Sequence, residues 1–439
     1  MQNDKIVVGL DIGTTKICAI VGRKNEFGKL EILGMGKAVS EGVSRGVVVN
    51  IDKTVLAIKK AIAEAEEDAG VGIGIVNVGI AGQHIKSSMH HGSIIRHSAN
   101  EEITVADIER LTNDMYKIVT PPGSKILHVV PQDFTVDYEE DVKEPVGMLG
   151  SRLEADFHII TAQTNAIGNI KKCVERAGLD VAELILEPIA SSMAVLDEEE
   201  KQAGVALVDI GGGTTDIAIV YEGIIRHTAV IPLGGNIITA DIKEGLSVMA
   251  QQAEKLKVKF GKALPEMASI NDIISIPGLR DRAPKEISLR NLANIIESRV
   301  KEILELVHNE IIMAGYAKKL AGGIVLTGGG SQLQHIKQLA EFMTGMDVRI
   351  GYPNEHLGRS KTEEVKSPMY ATTVGLVLAG FGAFDERENR YNNQLESVQQ
   401  QPTTRTQQPK ESGSNFFSTL IAKAKDVLMD DYDGSKSNY

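Results

Sequence analysis

Two acids, each at the end of an apolar run and each followed by glycine and threonine, are the residues of this chain best suited to chemistry. Asp11 stands in Ile6-Val-Val-Gly-Leu-Asp11-Ile-Gly13-Thr14-Thr15-Lys16-Ile-Cys-Ala-Ile20, and Asp209 in Val205-Ala-Leu-Val-Asp209-Ile-Gly211-Gly212-Gly213-Thr214-Thr215-Asp216. A carboxylate entering a Gly/Thr-rich turn suits a magnesium-phosphate site. The acid faces the waters of a hydrated ion, while glycine amides and threonine hydroxyls face phosphate oxygens. Lys16 adds a cation able to reach a phosphate. For either stretch alone the alternative is a glycine-rich hairpin turn. Recurrence of one plan at positions 11 and 209 points to an internal duplication, with two lobes gripping one nucleotide between them.

The surrounding pattern predicts the elements that hold these turns. Residues 5–38 read as three strands. Asp52 is placed to cap a helix running to Ala69, ended by Gly70. A strand follows over Ile75–Ala81. Residues 85–160 look different: short alternating runs at Ile126–Val130 and Phe134–Tyr138, and a helix from Asp107 to Ile118, read as an inserted α+β subdomain. A helix over Asn165–Ala177 and a strand over Val181–Glu187 lead to Pro188 at a helix start. After the second hairpin come a helical stretch from Asn236 to Lys259 and a long helix from Leu289 to Ala314 capped by Ser288. A strand then runs into Gly328-Gly329-Gly330 and a helix capped by Ser331, and Ser367-Pro368 opens the last core helix. Beyond Phe384 the composition turns to Gln, Asn, Thr and Ser, which reads as a flexible linker, before apolar residues return at 415–428.

Composition sets limits. A chain of 439 residues exceeds one ordinary core. A net charge of −12 with no basic domain argues against nucleic-acid binding. Cys18 and Cys173 are the only cysteines and fit a reducing cytosol without disulfides. His90-His91 reads as a loop pair, and no histidine has metal-ligand spacing. Neither a signal peptide nor a run long enough to cross a bilayer is evident, so membrane contact is expected to be peripheral.

The paired hairpins resemble the phosphate loops of the actin-like ATPase superfamily, and three further pieces follow in its order. These are Glu187-Pro188 opening one connecting helix, the adenosine-side loop Gly328–Gly330, and Pro368–Gly380 as the second connecting helix. Within that superfamily, Gly42-Val-Ser-Arg-Gly46-Val-Val-Val-Asn-Ile51 and Val78-Gly-Ile-Ala-Gly82-Gln-His84-Ile resemble the bacterial cell-division family FtsA. The resemblance implies an α/β, actin-like two-lobed fold with a duplicated nucleotide-binding core. Residues 1–84 and 161–203 form the first lobe, and 85–160 the inserted subdomain. Residues 204–240 and 316–385 form the second lobe, with 241–315 as its subdomain. The disordered linker spans 386–414, and 415–429 form a C-terminal amphipathic helix.

It also implies ligands and partners. ATP and Mg²⁺ are the expected cofactors, with Asp11 and Asp209 holding the ion mainly through water. Gly13, Thr14, Thr15, Lys16, Gly211, Gly212, Gly213, Thr214 and Thr215 would contact phosphates, and Gly328–Gly330 the adenosine side. Glu254 and Lys257 match an E-x-x-K pair gripping the adenosine; the alternative is a solvent ion pair. Glu187 sits where relatives orient the attacking water; the alternative is a carboxylate favoured by its helix start. Lys285, Arg290 and Arg299 would meet the acidic C-terminal tail of the tubulin-like FtsZ. Self-assembly into actin-like filaments, other division proteins, and the cytoplasmic face of the inner membrane at the division site complete the expectation. Two readings stay open, an ATP-gated membrane adaptor and a turnover ATPase, and an actin-like ATPase of pilus assembly is the alternative family member.

The last segment yields a test of its own. On a helix at about 100° per residue, Phe416, Phe417, Leu420, Ile421, Ala424, Val427 and Leu428 share one face, with Lys423 and Lys425 beyond its edges. Burying two phenylalanines and several aliphatics supplies roughly 1.5–3 kcal/mol per large side chain before ordering costs, enough for reversible binding that multivalency strengthens. Phe416→Glu with Phe417→Glu is expected to release the protein from anionic liposomes with ATP binding unchanged. Co-sedimentation equal to the parent's would mean that this face docks on protein instead.

Overall fold

A computed structural model describes residues 5–96, 100–277, 283–354, 356–358 and 363–384. The linker and amphipathic helix expected over 386–429 lie outside the described residues. Two five-stranded sheets carry the fold, and they are built on one plan. In the first, Ile6–Ile12 pairs antiparallel with Lys16–Lys24, which pairs with Leu30–Val39. On its other side it runs parallel to Ile75–Ile80 and then Asp180–Leu186. In the second, Val205–Ile210 pairs antiparallel with Thr215–Tyr221, followed by Ile224–Ile231. On its other side it runs parallel to Ile324–Thr327 and Val348–Ile350. Every residue of Val205–Ile210 is buried, as a strand covered on both faces requires.

The helices cover these sheets through apolar faces of helical period. Ile51–Ala69 buries Val55, Ile58, Ala61, Ile62 and Ala65. Its N-cap is Asn50, whose side chain accepts from the Lys53 amide at 3.0 Å, and Asp52 lies in the first turn instead of at the cap. Gly70, at φ 71°, ends it as expected. Leu289–Met313 is capped by Ser288 and buries Leu292, Ile296, Val300, Ile303, Val307 and Ile311. The stretch expected as one helix from Asn236 to Lys259 is two, Gly235–Gly245 and Ala250–Phe260, parted at Ser247, which takes a left-handed φ of 46°. Ser331 caps no helix: its hydroxyl donates to the Gly328 carbonyl at 2.8 Å and closes the glycine turn, and the next helix, Ile336–Thr344, starts later.

Between the first lobe's strands sits a four-stranded antiparallel sheet, Ile85–Ile95, Arg152–Gln163, Ser124–Val136 and Glu139–Val142, with the helix Val105–Met115 against it. The two short runs expected near 126–138 are parts of one strand. Pro131, which should break a central strand, stands opposite Phe157 at a register shift. His90 and His91 lie within the strand Ile85–Ile95, not in a loop.

A shared apolar cluster joins the two sheets: Val7, Cys18 and Ile20 from the first, Leu207, Ala218 and Val325 from the second, with Tyr370, Val374 and Phe381 between them. Residues 371–384 form the helix carrying Val374 and Phe381. It crosses Glu187–Val195 so closely that a Cβ on Gly375 would lie 1.8 Å from the Ala190 carbonyl oxygen. Among the described residues no helix is long and apolar enough to cross a membrane. Gly375→Ala is expected to destabilise the protein by about 1–3 kcal/mol, the usual cost of overpacking. Thermal denaturation reads it, and an unchanged midpoint would mean that the two helices part without cost.

Candidate functional site

The tips of the two hairpins meet. A Cβ on Gly212 would lie 2.3 Å from Thr15 Cγ2, and one on Gly213 would lie 2.4 Å from Thr14 Oγ1. The contact therefore needs glycine on one side and allows threonine on the other. The second tip is fixed from behind. The Gly211 amide donates to the Thr214 carbonyl at 2.9 Å, and the amides of Gly235 and Asn236 donate to the carbonyls of Gly211 and Gly212 at 2.9 and 2.8 Å.

Asp11 and Asp209 occupy matching places, next to last in their strands, and both are buried. Two connecting helices grip Asp209: Ser191 and Thr372 donate hydroxyls to its Oδ2 at 2.8 and 3.0 Å. Gly328, at φ 81°, passes so near that a Cβ there would fall 2.2 Å from Asp209 Oδ1. Asp11 pairs across its hairpin with Cys18, whereas Asp209 pairs with Asp216, so the duplication places an extra acid in the second hairpin. Thr214 donates to Asp216 Oδ2 at 2.8 Å, while Asp216 Oδ1 is buried with no hydrogen-bond partner. Lys16 donates to the Met369 carbonyl at 2.5 Å and stands 3.8 Å from the centroid of the Tyr370 ring.

These acids face one another in a poor solvent. Burial pushes Asp11 up to about 6, with Lys16 opposing and Asp209 adding to the rise. Burial, then the nearby Asp209, pushes Asp216 up to about 8 against the Thr214 hydrogen bond. Burial raises Asp209 against its two hydroxyl donors. Glu187 is pushed well above the carboxylate range, first by burial and then by Asp11, Asp216 and Asp209. Burial lowers Lys16 in turn. Four acids around one lysine cannot all be charged without a further cation.

The remaining predicted residues fall into two places. Glu254 and Lys257 form an ion pair at 2.8 Å on the helix Ala250–Phe260. Lys257 also donates to the Gly235 carbonyl and the Thr239 hydroxyl, both at 2.8 Å, which ties the pair to the back of the second tip. Gly329 and Gly330 follow Gly328 into a short 3₁₀ turn. Lys285, Arg290 and Arg299 lie away from this cleft. Arg299 holds Asp241 in a two-point ion pair at 2.6 and 3.1 Å and also pairs with Glu302, and Lys285 donates to the Leu246 carbonyl. Asp216, Ser191 and Thr372 are the site residues that pattern reading passed over. Asp216 alone left a trace there, as the acid closing the second hairpin.

The residues present fit a phosphate ligand with a hydrated divalent ion. A cradle that a side chain would fill, an orphaned buried carboxylate oxygen and an excess of acids all converge at the tips. Among the described residues no group of three or more His, Cys, Asp or Glu is arranged to bind a metal directly. Magnesium keeps most of its waters, so the acids would reach such an ion through its water shell.

Comparison with known proteins adds the lineage. A family described as "Cell division protein FtsA" matches residues 206–375, one described as "SHS2 domain inserted in FTSA" matches 82–161, and "Hsp70 protein" matches 164–228. The chain is 46% identical over 381 residues to a cell division protein FtsA of Pseudomonas aeruginosa, covering 87% of this chain and 90% of that one. It is 40% identical over 420 residues to one of Neisseria meningitidis, covering 95% and 98%. Among solved structures, the PilM–PilN type IV pilus biogenesis complex matches with a TM-score of 0.62 at 15% identity, covering 85% of this chain and 98% of that one. That likeness establishes the actin-like fold alone.

Asp216 gives the cleft a pH signature. A carboxylate whose pKa is higher folded than unfolded binds its proton more tightly when folded, so its ionisation costs stability as pH rises from 3.8 to about 8. Asp216→Asn removes that cost. The ligand-free variant's advantage in thermal midpoint over the parent is expected to be absent below about pH 4 and to grow up to about pH 8. An advantage that does not change with pH would show that Asp216 is not held protonated by its neighbours.

Proposed function

The chain belongs to the FtsA family of cell-division proteins, and from that premise we propose that it is an ATP-binding, actin-like protein that self-assembles and tethers FtsZ filaments to the cytoplasmic face of the membrane. One observation carries the nucleotide part: the duplicated hairpin tips meet at a Thr/Gly contact ringed by Asp11, Asp209, Asp216 and Glu187 with Lys16 beside them. A magnesium ion bound with ATP would neutralise part of this charge. Asp11 and Asp209 would hold its waters, the amides of Gly13, Gly212 and Gly213 with the hydroxyls of Thr14 and Thr15 would hold phosphates, and Lys16 would offset the terminal charge. The Gly211 amide and the hydroxyls of Thr214 and Thr215, expected from sequence to join them, are already engaged by the Thr214 carbonyl, Asp216 and the Leu233 carbonyl. Gly328–Gly330, Glu254 and Lys257 would flank the adenosine.

In this reading ATP acts mainly as an assembly switch, and phosphate release under polymerising conditions separates that from a turnover ATPase. Glu187 is the candidate to orient an attacking water; burial and then Asp11, Asp216 and Asp209 raise its pKa, which a cation bound among them would oppose. Filament contacts are assigned to the inserted subdomain, residues 85–160, since it contributes none of the phosphate-loop residues and head-to-tail contacts that do not close make open filaments. The FtsZ tail is assigned to residues 241–315. Arg290 has no ion-pair partner there among the described residues, and Arg299 would join by exchange from Asp241. Residues 415–429 are assigned to the membrane. An actin-like ATPase of pilus assembly remains the alternative on fold alone, with the identity to cell-division relatives against it.

Full-length protein is expected to carry FtsZ into the pellet with anionic liposomes when magnesium-ATP is present. Asp209→Ala is expected to weaken ATP binding by tenfold or more, about 1.4 kcal/mol, and to reduce that co-pelleting. Calorimetry with magnesium and sedimentation read the two effects. Unchanged ATP affinity would remove the cleft from the account, and FtsZ left in the supernatant would remove the tether.

A further inference from the structure

We propose that the turn Arg45-Gly46 is a third wall of the phosphate site, in which Gly46 positions Thr14 and Arg45 supplies a cation for a terminal phosphate. The proposal rests on the nucleotide reading of the cleft. The turn joins the two-residue strands Val43–Ser44 and Val47–Val48, with Val43 opposite Val48 and Ser44 opposite Val47. Both turn residues are left-handed, Arg45 at φ 49° and Gly46 at φ 74°. That two-residue turn favours asparagine or aspartate before the glycine. Arginine in this conformation costs roughly 1–2 kcal/mol, and such strain marks functional positions.

The turn touches the first phosphate loop. The Gly46 amide donates to Thr14 Oγ1 at 3.2 Å. With that lone pair engaged from behind, the Thr14 hydroxyl proton is left to point at another acceptor, on the side where the hydroxyl meets Gly213. The position of the turn is fixed by contact. A Cβ on Gly46 would lie 2.8 Å from Gly82 Cα, and one on Gly82 would lie 2.9 Å from His84 Nδ1. His84 itself is buried, at 6% exposure, and neither ring nitrogen has a hydrogen-bond partner among the described residues. A buried polar ring thus backs the residue on which the turn rests.

Arg45 has the reach and the freedom. Its Cα is one peptide bond from the Gly46 nitrogen and so lies within about 6 Å of the Thr14 hydroxyl, a span that an extended arginine covers. Its side chain is exposed and makes no ion pair or hydrogen bond among the described residues. A triphosphate adds charge to a cleft that already holds four acids and one lysine, and a planar guanidinium suits phosphate oxygens. The last phosphate of the chain needs this cation most, so Arg45 would separate nucleoside triphosphates from diphosphates.

Calorimetry on the full-length protein with magnesium and either ATP or ADP tests this. Arg45→Gln keeps a left-handed side chain of similar shape without charge. It is expected to lower ATP affinity about tenfold and ADP affinity much less. Arg45→Gly, which also relieves the backbone, is expected to lose the same discrimination while gaining thermal stability. An ATP-to-ADP affinity ratio equal to the parent's in Arg45→Gln overturns the assignment of Arg45 and leaves the nucleotide site standing. A parent that binds neither nucleotide overturns both.

Discussion

Everything in the cleft follows from letting two hairpin tips touch. Thr14 and Thr15 meet Gly213 and Gly212 in the crossed order that a pseudo-two-fold axis imposes, each tip presenting the same two places to the other. Full symmetry is sterically impossible at that distance. Were both tips threonine, the side chains would overlap, and were both glycine, neither would bring a hydroxyl to the contact. One tip therefore keeps the side chains and the other gives them up. The two central strands that end here come from sheets of identical plan, and so both acids arrive at the same seam.

That arrival creates the electrostatic problem on which the site depends. Asp11 and Asp209 alone could be balanced by Lys16 and by the hydroxyls of Ser191 and Thr372. The second hairpin then adds Asp216 where the first has Cys18, and the connecting helix adds Glu187. Burial raises all four carboxyls, and neighbouring acids add to the rise for Asp11, Asp216 and Glu187, a shift that a cation among them would oppose. A fold optimised for its own stability would place apolar or amide side chains at these positions. Keeping acids there costs stability unless a cation stands among them.

The parts of this arrangement set by local chemistry were legible in the amino-acid order. Strand, acid, glycine and threonine in one short window determine a hairpin, and Gly70, Ser288 and Pro188 stand where the structure uses them. The misreadings share a cause, which is that a distant contact outweighed a local preference. Pro131 continues its strand because the partner strand shifts register opposite it. Ser331 turns to the Gly328 carbonyl, since the glycine turn must close over Asp209 before a helix can begin. Asn50 takes the cap from Asp52 because its own amide and that of Val49 are already bound to the Gly42 carbonyl, which fixes where the chain enters the helix. Arg299 looks like a surface cation in sequence and is held by Asp241, 58 positions away. The role of Ser191 and Thr372 could not be read at all, because it exists only where two helices 181 positions apart converge on one carboxylate.

Convergence of that kind also governs the inserted sheet. Its two ends are covalently part of the first lobe, at Ile85 and Gln163, yet it is held to the second. Arg226 of the second lobe, almost fully buried, grips Asp133 of the insertion at 2.7 and 3.1 Å and reaches Glu222 at 3.3 Å. Lys143 of the insertion pairs with both acids. Gln132 donates to the Ile225 carbonyl at 3.1 Å and Ser87 to that of Thr228 at 3.3 Å. Arg226 is the buried member of this cluster and its partners are half-exposed, so removing Asp133 would leave a poorly solvated guanidinium with Glu222 as its remaining acid. Rotation of one lobe against the other therefore cannot leave the insertion at rest. While the clamp holds, the insertion must turn relative to the lobe that carries it, and when the clamp opens, Arg226 and Asp133 must first regain water. The same contacts fix the insertion against the strand Ile224–Ile231 and the turn that precedes it.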